Sequence, residues 1–286
     1  MKPAPFDYVR PDSVQEALTE LGREDARALA GGQSLVPALN MRLLRPSLLV
    51  DVNGLPGLDE IVVENGSVRI GALVRQRTLE ESTVAREALP LVAEALPHVG
   101  HLVTRSRGTV GGSLVHADAA AELPLCLLVL GGSVVVTSTT GQREIAADDF
   151  FVTHFTTSLE PKELLIESKW PVLERGWGFA FEELSQRRGD YGLSIVAAAL
   201  RVKDEKVAEA RLGLGSVVDR PMLVETGVEG ERLSDELAGN AGRRAAEGLD
   251  LYDNLHASAD YQRHLTAVLA ARALERAWRN ALEGLT

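Results

Sequence analysis

The sequence predicts an α+β protein with a two-lobed N-terminal part followed by a separate C-terminal α+β domain. Three patterns support this fold class. Within residues 1–57 a strand, a loop, a helix and a second strand follow one another, as in a βαβ unit. Residues 58–173 contain a hairpin, several helices and further strands. From residue 174 onward, strands precede two helices, an order typical of an antiparallel sheet with helices on one face.

The first lobe opens with a short strand over residues 6–10 and a helix that starts after Pro11. Asp12 or Ser13 is expected to cap this helix, because both side chains accept hydrogen bonds from the free N–H groups of a first turn. Glu16 stands where it can complete a capping box.

A second helix is predicted after the Gly-Gly pair that follows a strand over Ala28–Ala30. Leucines recur every four residues from Leu35 to Leu43, which is the spacing of one helix face. Pro37 fits a first helical turn, where its missing N–H group is not needed. A compact apolar strand over Ser47–Asp51 completes the unit, and a run of turn-forming residues ends the lobe.

The second lobe begins with the clearest hairpin signal, two β-rich runs over Ile61–Ile70 joined at Asn65-Gly66. Asn-Gly favours a tight turn with two positive φ angles. Pro90 interrupts the longest predicted helix of this lobe. The further elements predicted are helices over Thr78–Glu81, Thr83–Leu96, Glu122–Leu130 and Asp148–Phe151 and strands over Ser133–Ser138 and Leu164–Trp170.

The C-terminal region is predicted to form an antiparallel sheet followed by two helices. Lys203-Asp-Glu-Lys206 joins the second and third strands as a short turn. The predicted elements are strands over Gly178–Leu184, Leu193–Val202 and Val207–Val217 and helices over Asp235–Glu247 and Ala259–Leu282.

The composition excludes several classes of function. Among 286 residues, 41 acidic and 30 basic side chains give a formal charge of −11, which argues against a nucleic-acid surface. No apolar run is long enough to span a bilayer, so no transmembrane segment is expected. The N-terminus lacks the apolar core of a signal peptide, and a cytoplasmic protein is therefore expected.

Cysteine and histidine usage points away from a metal held by this chain. The single cysteine, Cys126, lies in an apolar run and is expected to be a buried small hydrophobic residue. One cysteine cannot hold an iron–sulfur cluster or an intrachain disulfide. The six histidines form no metal-binding pattern, and Gly-x-Ser-x-Gly is absent. We expect neither a catalytic side chain nor a metal ligand.

Two Gly-Gly segments, within residues 28–43 and 108–118, carry the main functional signal. Each is predicted as a glycine turn beside a hydroxyl residue, followed by an apolar run. Glycine lets successive N–H groups converge, and such amides at a helix start bind anions. A lone Gly-Gly pair is also typical of an ordinary turn, and neither segment has the Gly-x-Gly-x-x-Gly or P-loop pattern. Two such segments suggest a diphosphate held from both sides.

Ordered motifs resemble those of one known family. Ala30-Gly-Gly-Gln-Ser-Leu-Val-Pro37 and Thr109-Val-Gly-Gly-Ser-Leu-Val-His116-Ala-Asp118 resemble the two FAD-binding motifs of the medium subunit of the carbon monoxide dehydrogenase/xanthine dehydrogenase family of molybdenum hydroxylases. The resemblance continues through Pro161–Pro171, Arg188-Gly-Asp-Tyr191 and Ala257–Leu265, and so covers essentially the whole chain.

The resemblance implies a specific architecture. A two-lobed FAD-binding domain of the p-cresol methylhydroxylase-like type would occupy residues 1–57 and 58–173. A C-terminal α+β domain of the carbon monoxide dehydrogenase flavoprotein type would occupy residues 174–286.

It also implies a set of FAD-contacting residues from both glycine segments and from later turns. The first pyrophosphate loop would be Ala30, Gly31, Gly32, Gln33, Ser34 and Leu35, and the second Thr109, Gly111, Gly112 and Ser113. The sugar-phosphate chain would lie near His116, Asp118 and Glu122, and the isoalloxazine ring near Leu164, Leu165, Asp190 and Tyr191.

Three positions depart from the family pattern. Glu122 replaces an expected Asp, which keeps the carboxylate but places it one methylene further out. Ser113 replaces a common Asn with a smaller donor. Glu182 stands where animal xanthine-oxidising members carry Lys, so a hydrogen bond from that position to the ring is not expected.

The function implied is that of an FAD-carrying electron-transfer subunit. A large subunit would oxidise the substrate at a molybdenum–pterin cofactor, and a small subunit would pass electrons through two iron–sulfur clusters to this chain's FAD. The family assembles as a dimer of heterotrimers. A stand-alone FAD-dependent oxidase or dehydrogenase and an assembly protein without flavin are the alternatives. Carbon monoxide, a purine, an N-heterocycle or an aldehyde could be the substrate, and a quinone, a cytochrome, oxygen or NAD the acceptor.

Overall fold

A computed structural model describes residues 2–284, which contain three larger β-sheets, a two-stranded ribbon and α-helices packed on the sheets. This is the predicted α+β class. The domain boundaries at residues 57 and 173 stay predictions, although each of the three larger sheets draws its strands from one of the three predicted ranges.

The first sheet is parallel and has the strand order β1-β3-β2. Its strands are β1 (Asp7–Val9), β2 (Ala26–Leu29) and β3 (Leu48–Asp51), connected by α1 (Val14–Leu21) and α2 (Leu35–Asn40). The predicted βαβ unit is therefore confirmed in β2, α2 and β3. Ser13 caps α1, because its Oγ accepts from the Glu16 N–H group at 3.2 Å. Glu16 in turn accepts from the Asp12 N–H group at 2.9 Å.

The prediction that α2 continues to Leu43 is wrong. Arg42 takes a left-handed conformation with φ +59°, and a helix cannot continue through it. The Arg42 N–H group donates to the Leu39 carbonyl and the Leu43 N–H group to the Ala38 carbonyl, both at 2.9 Å. This is a Schellman motif, which ends the helix at Asn40.

The second sheet is antiparallel, with the order β4-β5-β10-β6-β7. The predicted hairpin is confirmed, since Asn65 and Gly66 have φ +51° and +74°. The strands of this region are β4 (Ile61–Glu64), β5 (Ser67–Gly71), β6 (Ser133–Ser138), β7 (Gly141–Ala146), β8 (Phe151–Thr153), β9 (Thr156–Thr157) and β10 (Leu164–Pro171). The helices are α3 (Gln76–Glu81), α4 (Thr83–Ala88), α5 (Pro90–Ala95), α6 (Leu102–Arg107), α7 (Val110–His116), α8 (Glu122–Leu130) and α9 (Ala147–Phe150).

Helix α8 lies at the centre of this region, and all nine of its residues are buried. A helix that is apolar on every side has to be covered on every side. It contacts α5 and α7 as well as the second sheet. Cys126 is fully buried here, as expected, and burial raises the pKa of its thiol.

The third sheet is antiparallel, with the order β11-β12-β13-β14. Its strands are β11 (Trp177–Ser185), β12 (Gly192–Lys203), β13 (Lys206–Gly215) and β14 (Met222–Val224), followed by α10 (Asp235–Glu247) and α11 (Ala259–Glu283). Helix α11 packs on one face, on β11 and β12, as predicted. The other face packs on α8, and a Cβ atom on Gly213 would lie only 2.5 Å from Val129 Cγ2. No helix within residues 2–284 is both long and apolar enough to cross a membrane.

Candidate functional site

The first glycine segment is a loop with unused hydrogen-bond donors. It leaves β2 after Leu29, turns at Gly32 with φ +72° and enters α2 at Leu35. The five N–H groups from Gly31 to Leu35 donate to no other group of residues 2–284. The Ser34 hydroxyl makes no capping hydrogen bond either. Unused amides before a helix are suited to an anion.

The second glycine segment differs, and its interpretation as a turn is wrong. Gly111 and Gly112 lie in the first turn of α7, which begins at Val110. The Val110 and Gly111 N–H groups donate to the carbonyls of Val74 and Ala72 at 2.9 and 3.0 Å. The Gly112 N–H group donates to Thr109 Oγ1 at 3.0 Å, so Thr109 is the N-cap of α7.

Three of the glycines allow close approach of neighbouring atoms. A Cβ atom on Gly31 would lie 2.5 Å from the Arg107 carbonyl oxygen, and one on Gly111 would lie 2.7 Å from Ala72 Cβ. A Cβ atom on Gly112 would meet Thr109 Oγ1 at 2.7 Å. The first segment therefore lies directly on the chain that leads into the second, so the structure brings residues 30–35 and 109–113 together.

Asn53 and Arg75 hold the two segments together, and sequence reasoning missed both. Asn53 Nδ2 donates to the Ala30 carbonyl at 2.8 Å. Arg75 Nη2 donates to Asn53 Oδ1 at 2.7 Å, and Arg75 Nη1 donates to the Arg107 carbonyl. No local motif marks either residue, because their partners are distant in sequence.

The same bridge brings positive charge to the first glycine segment. Partial burial lowers the pKa of Arg75, and the neighbouring charge of Arg107 lowers it further, whereas Asp51 opposes both effects. Two guanidinium groups that repel each other are stabilised by an anion placed between them or beside them. The charge and the unused amides therefore suit the same kind of ligand.

His116, at the end of α7, stacks on an aromatic residue that the sequence analysis did not include. Its ring centroid lies 4.7 Å from that of Phe155, with 29° between the planes. Phe155 is 53% exposed and has φ +56°. Burial lowers the pKa of His116, the charge of Asp118 opposes this effect, and the charge of His154 adds to it. The net shift disfavours the charged form of His116.

Asp118, Glu122 and Tyr191 lie together and form an acidic group. Asp118 is 8% exposed, and its Oδ1 accepts from the Ala120 N–H group at 2.9 Å. Burial raises the pKa of Glu122 to about 8, and the charges of Glu183 and Asp118 add to the effect. The Tyr191 ring is exposed, but desolvation of its hydroxyl and the charges of Asp118 and Glu122 raise its pKa.

The remaining predicted residues take three different positions. Leu164 and Leu165 are buried on β10, the strand that contacts α7. Asp190 lies in an exposed turn, where its N–H group donates to the Arg187 carbonyl at 3.0 Å. Glu182 forms an ion pair with Arg276 of α11 at 2.7 Å, so its carboxylate already has a partner.

Taken together, these groups fit a dinucleotide. Unused amides and arginines at one end suit a diphosphate, while the buried carboxyl groups of Asp118 and Glu122 can form hydrogen bonds with sugar hydroxyls. Buried leucines and an exposed tyrosine suit a planar ring. Residues 2–284 contain no group of His, Cys, Asp and Glu side chains that could hold a metal ion.

Two family descriptions match this chain. "FAD binding domain in molybdopterin dehydrogenase" matches residues 4–173, and "CO dehydrogenase flavoprotein C-terminal domain" matches residues 179–277. The first match covers both glycine segments and the acidic residues Asp118 and Glu122.

Full-length relatives agree with these matches. The 6-hydroxypseudooxynicotine dehydrogenase complex subunit alpha of Paenarthrobacter nicotinovorans is 42% identical over 98% of this chain and 97% of its own length. A solved carbon monoxide dehydrogenase of Hydrogenophaga pseudoflava superposes with a TM-score of 0.95 at 32% identity, over 98% of this chain and 99% of the other. Quinoline 2-oxidoreductase of Pseudomonas putida 86 gives a TM-score of 0.94 at 35% identity, over 99% and 100%.

Proposed function

This chain belongs to the FAD-binding subunits of the molybdopterin dehydrogenases, and from this membership we propose that it takes electrons from iron–sulfur clusters on a partner subunit and passes them to an external acceptor. It is a component of an oxidoreductase, and its cofactor is FAD. When bound, FAD supplies the ability to accept and release electrons singly or in pairs.

The unused amides of the first glycine segment are the observation that carries this proposal. The N–H groups from Gly31 to Leu35 would hold the diphosphate, with Arg75 adding positive charge. The start of α7 at Thr109–Ser113 would close the other side. His116, Asp118 and Glu122 would hold the sugar chain, and Leu164, Leu165, Asp190 and Tyr191 would border the ring.

An iron–sulfur electron donor would have to lie on another chain. Cys126 is fully buried, and no second cysteine exists in the sequence. We therefore assign the iron–sulfur clusters to a small partner subunit and substrate oxidation to a large molybdenum-containing subunit. The assembly would be a dimer of heterotrimers. We also propose residues 1–57, 58–173 and 174–286 as the domains of this chain.

Exposed apolar side chains beside the first glycine segment support a partner subunit at that place. Met41 and Leu43 follow α2 and are 59% and 70% exposed. Leu102 and Val103 lie on α6, the helix that ends at Arg107 against Gly31, and are 53% and 74% exposed. Large apolar side chains that are exposed to this degree are typical of a protein interface.

The test is an absorption spectrum of the protein purified from its native source, with denaturing electrophoresis of the same sample. A flavin spectrum with iron–sulfur shoulders and three co-purifying chains is expected. Flavin on this chain alone would instead favour the stand-alone oxidase, and absence of flavin would favour the assembly protein. As a control, Gly32→Trp should abolish flavin retention while the other chains still co-purify.

A further inference from the structure

Asp51 lies at the carboxyl end of β3, the central strand of the first sheet, and the proposed function does not use it. In the parallel register, Asp51 stands opposite Leu29, the last residue of β2 before the first glycine segment. Ligands of parallel sheets bind beyond the carboxyl ends of the strands. The Asp51 carboxylate is therefore placed at the sheet edge from which that segment leaves.

Both oxygen atoms of Asp51 accept hydrogen bonds. Oδ2 accepts from the hydroxyl of Tyr8 on β1 at 2.6 Å. Oδ1 accepts from the Asn53 backbone N–H group at 2.9 Å and from Asn53 Nδ2 at 2.6 Å. Burial favours the neutral acid, but the hydrogen bonds from Tyr8 and Asn53, with the charge of Arg10, outweigh it and lower the pKa of Asp51. The carboxylate is ionised at neutral pH and accepts at both oxygens.

The groups around Asn53 allow only one orientation of its side-chain amide. Arg75 only donates, and its Nη2 atom lies 2.7 Å from Asn53 Oδ1. The Leu29 and Ala30 carbonyls only accept, and they lie 3.2 and 2.8 Å from Asn53 Nδ2. The ionised Asp51 also only accepts. A flipped amide would turn its oxygen toward Asp51 and both carbonyls, so these contacts hold the amide in place.

This chain of hydrogen bonds ends at the first glycine segment. The Ala30 carbonyl belongs to the same peptide group as the Gly31 N–H group, which is the first of the five unused donors. A peptide group is planar and trans, so a partner that fixes the carbonyl also fixes the direction of the N–H group. The Gly31 N–H group therefore points away from Asn53, in a direction that the Asp51 carboxylate helps to set.

We propose that Asp51 is a positioning residue of the dinucleotide site, which orients Asn53 and through it the Gly31 N–H group toward the diphosphate of FAD, and that Tyr8 holds Asp51 in place. This inference rests on the proposed function. Asp51 acts through hydrogen-bond geometry and not through its charge, because a carboxylate near a diphosphate repels it.

Geometry and charge predict different behaviour for an amide at position 51. The oxygen of Asp51→Asn can still accept from Asn53, and its Nδ2 group can donate to the Tyr8 oxygen. The methyl group of Asp51→Ala can replace neither bond. The amide variant should therefore behave like wild type, and the alanine variant should not.

The experiment measures the affinity of the flavin-depleted full-length chain for FAD by fluorescence quenching and for ADP by competition. ADP carries the diphosphate without the flavin ring. Asp51→Ala should weaken the binding of both about tenfold, and Tyr8→Phe about threefold. Asp51→Asn should stay within about twofold of wild type. The absorption maximum of FAD-saturated Asp51→Ala should equal that of wild type, whereas a general loss of structure would shift it.

Asp250 and Tyr252 provide matched controls in the connection between α10 and α11. The Tyr252 hydroxyl donates to Asp250 Oδ2 at 2.7 Å, in a pair of the same kind as Tyr8 and Asp51. Tyr252 is 71% exposed and Tyr8 is 56% exposed, so both phenol rings lie largely in solvent. Asp250→Ala and Tyr252→Phe should leave the affinities for FAD and ADP unchanged.

The outcomes separate this inference from the function on which it rests. If the wild-type chain binds FAD and Asp51→Ala binds it equally well or better, the inference is overturned and the proposed function stands. A loss in Asp51→Asn as large as that in Asp51→Ala also overturns it. If the wild-type chain binds no FAD, both fail. Should Asp51→Ala not fold, Tyr8→Phe carries the test, and wild-type affinity in that variant overturns the inference.

Discussion

The two Gly-Gly segments look alike in sequence and differ in physical role. In the first, Gly32 has positive φ and the following N–H groups are unused. In the second, Gly111 and Gly112 are helical and their N–H groups bond within the protein. The first segment is a donor loop, whereas the second is a packing surface on which that loop rests. One glycine pattern thus leaves hydrogen-bond donors unused in one place and allows close packing in the other.

The largest expected difference between the segments is in stability. Gly111→Ala should lower the free energy of unfolding by about 3 kcal/mol, because its Cβ would overlap Ala72, whose backbone atoms cannot move away. Gly32→Ala should cost only about 1 kcal/mol, the strain of a left-handed alanine. Urea unfolding measures both.

Gly248→Ala is the matched control, because a Cβ atom there has no neighbour within 4 Å and φ is negative. It should change stability by less than about 0.5 kcal/mol. Equal losses in Gly111→Ala and Gly32→Ala would mean that the two segments have the same role after all.

A pH series tests the buried carboxyl group of Glu183 on β11 while both glycine segments stay unchanged. The pKa of Glu183 is raised to about 7 in the folded protein, above its ordinary value of 4.5. The folded state therefore binds the proton more tightly, and this stabilising contribution is lost as pH rises from about 4.5 through 7. Glu183→Gln should remove about 2 kcal/mol of this decline. Thermal unfolding at several pH values checks it, and an unchanged decline would contradict it.

The bridge between the segments is tested by Arg75→Ala. Loss of its hydrogen bonds to Asn53 and Arg107 should free the first segment and weaken FAD binding by about 2 kcal/mol, or roughly thirtyfold. Quenching of flavin fluorescence on reconstitution measures the affinity. Arg77→Ala, which removes surface pairs with Glu80 and Glu81, is the control and should leave the affinity unchanged.

The hydroxyl residues of the two segments give the smallest and most specific contrast. Thr109→Val should cost about 1 kcal/mol of stability by removing the cap of α7, and Thr109→Ser should restore it. Ser34→Ala should change stability by less than about 0.5 kcal/mol, because Ser34 caps nothing, while lowering FAD affinity a few-fold. Thermal unfolding and flavin titration of the same samples separate the two effects.

Local signals in the sequence predicted most of the elements. The Asn65-Gly66 hairpin and the cap at Ser13 depend on neighbouring residues alone, and both are confirmed. The end of α2 was missed because Arg42 takes the left-handed conformation that glycine usually takes, and nothing in the sequence marks an arginine in that conformation. Strand β7 was missed because its side chains are mostly polar and exposed, as befits an edge strand.

The site was predictable where motifs are contiguous and unpredictable where it depends on distant pairing. Both glycine segments could be read from the chain. Asn53 and Arg75 could not, because they meet only once the first two sheets are in place. Glu182 and Glu183 are adjacent residues of the same type, and their surroundings differ only because they lie on opposite faces of β11. Which face meets α8 and which meets α11 is decided by the packing of the sheet between these two helices.

Strand β12 has no outer face. Val196, Ala198 and Leu200 pack with α11, while Ile195, Ala197 and Ala199 pack into the core around α8. The C-terminal sheet therefore cannot separate from the FAD-binding lobes without exposing the apolar face that packs around α8, while α11 keeps the other face covered. In amide hydrogen exchange, β12 should open only with global unfolding, and limited proteolysis near residues 172–176 should release no folded fragment. The part of the third sheet that carries Glu183 on β11 and Tyr191 before β12 is thus a fixed part of one cooperative unit rather than a lid.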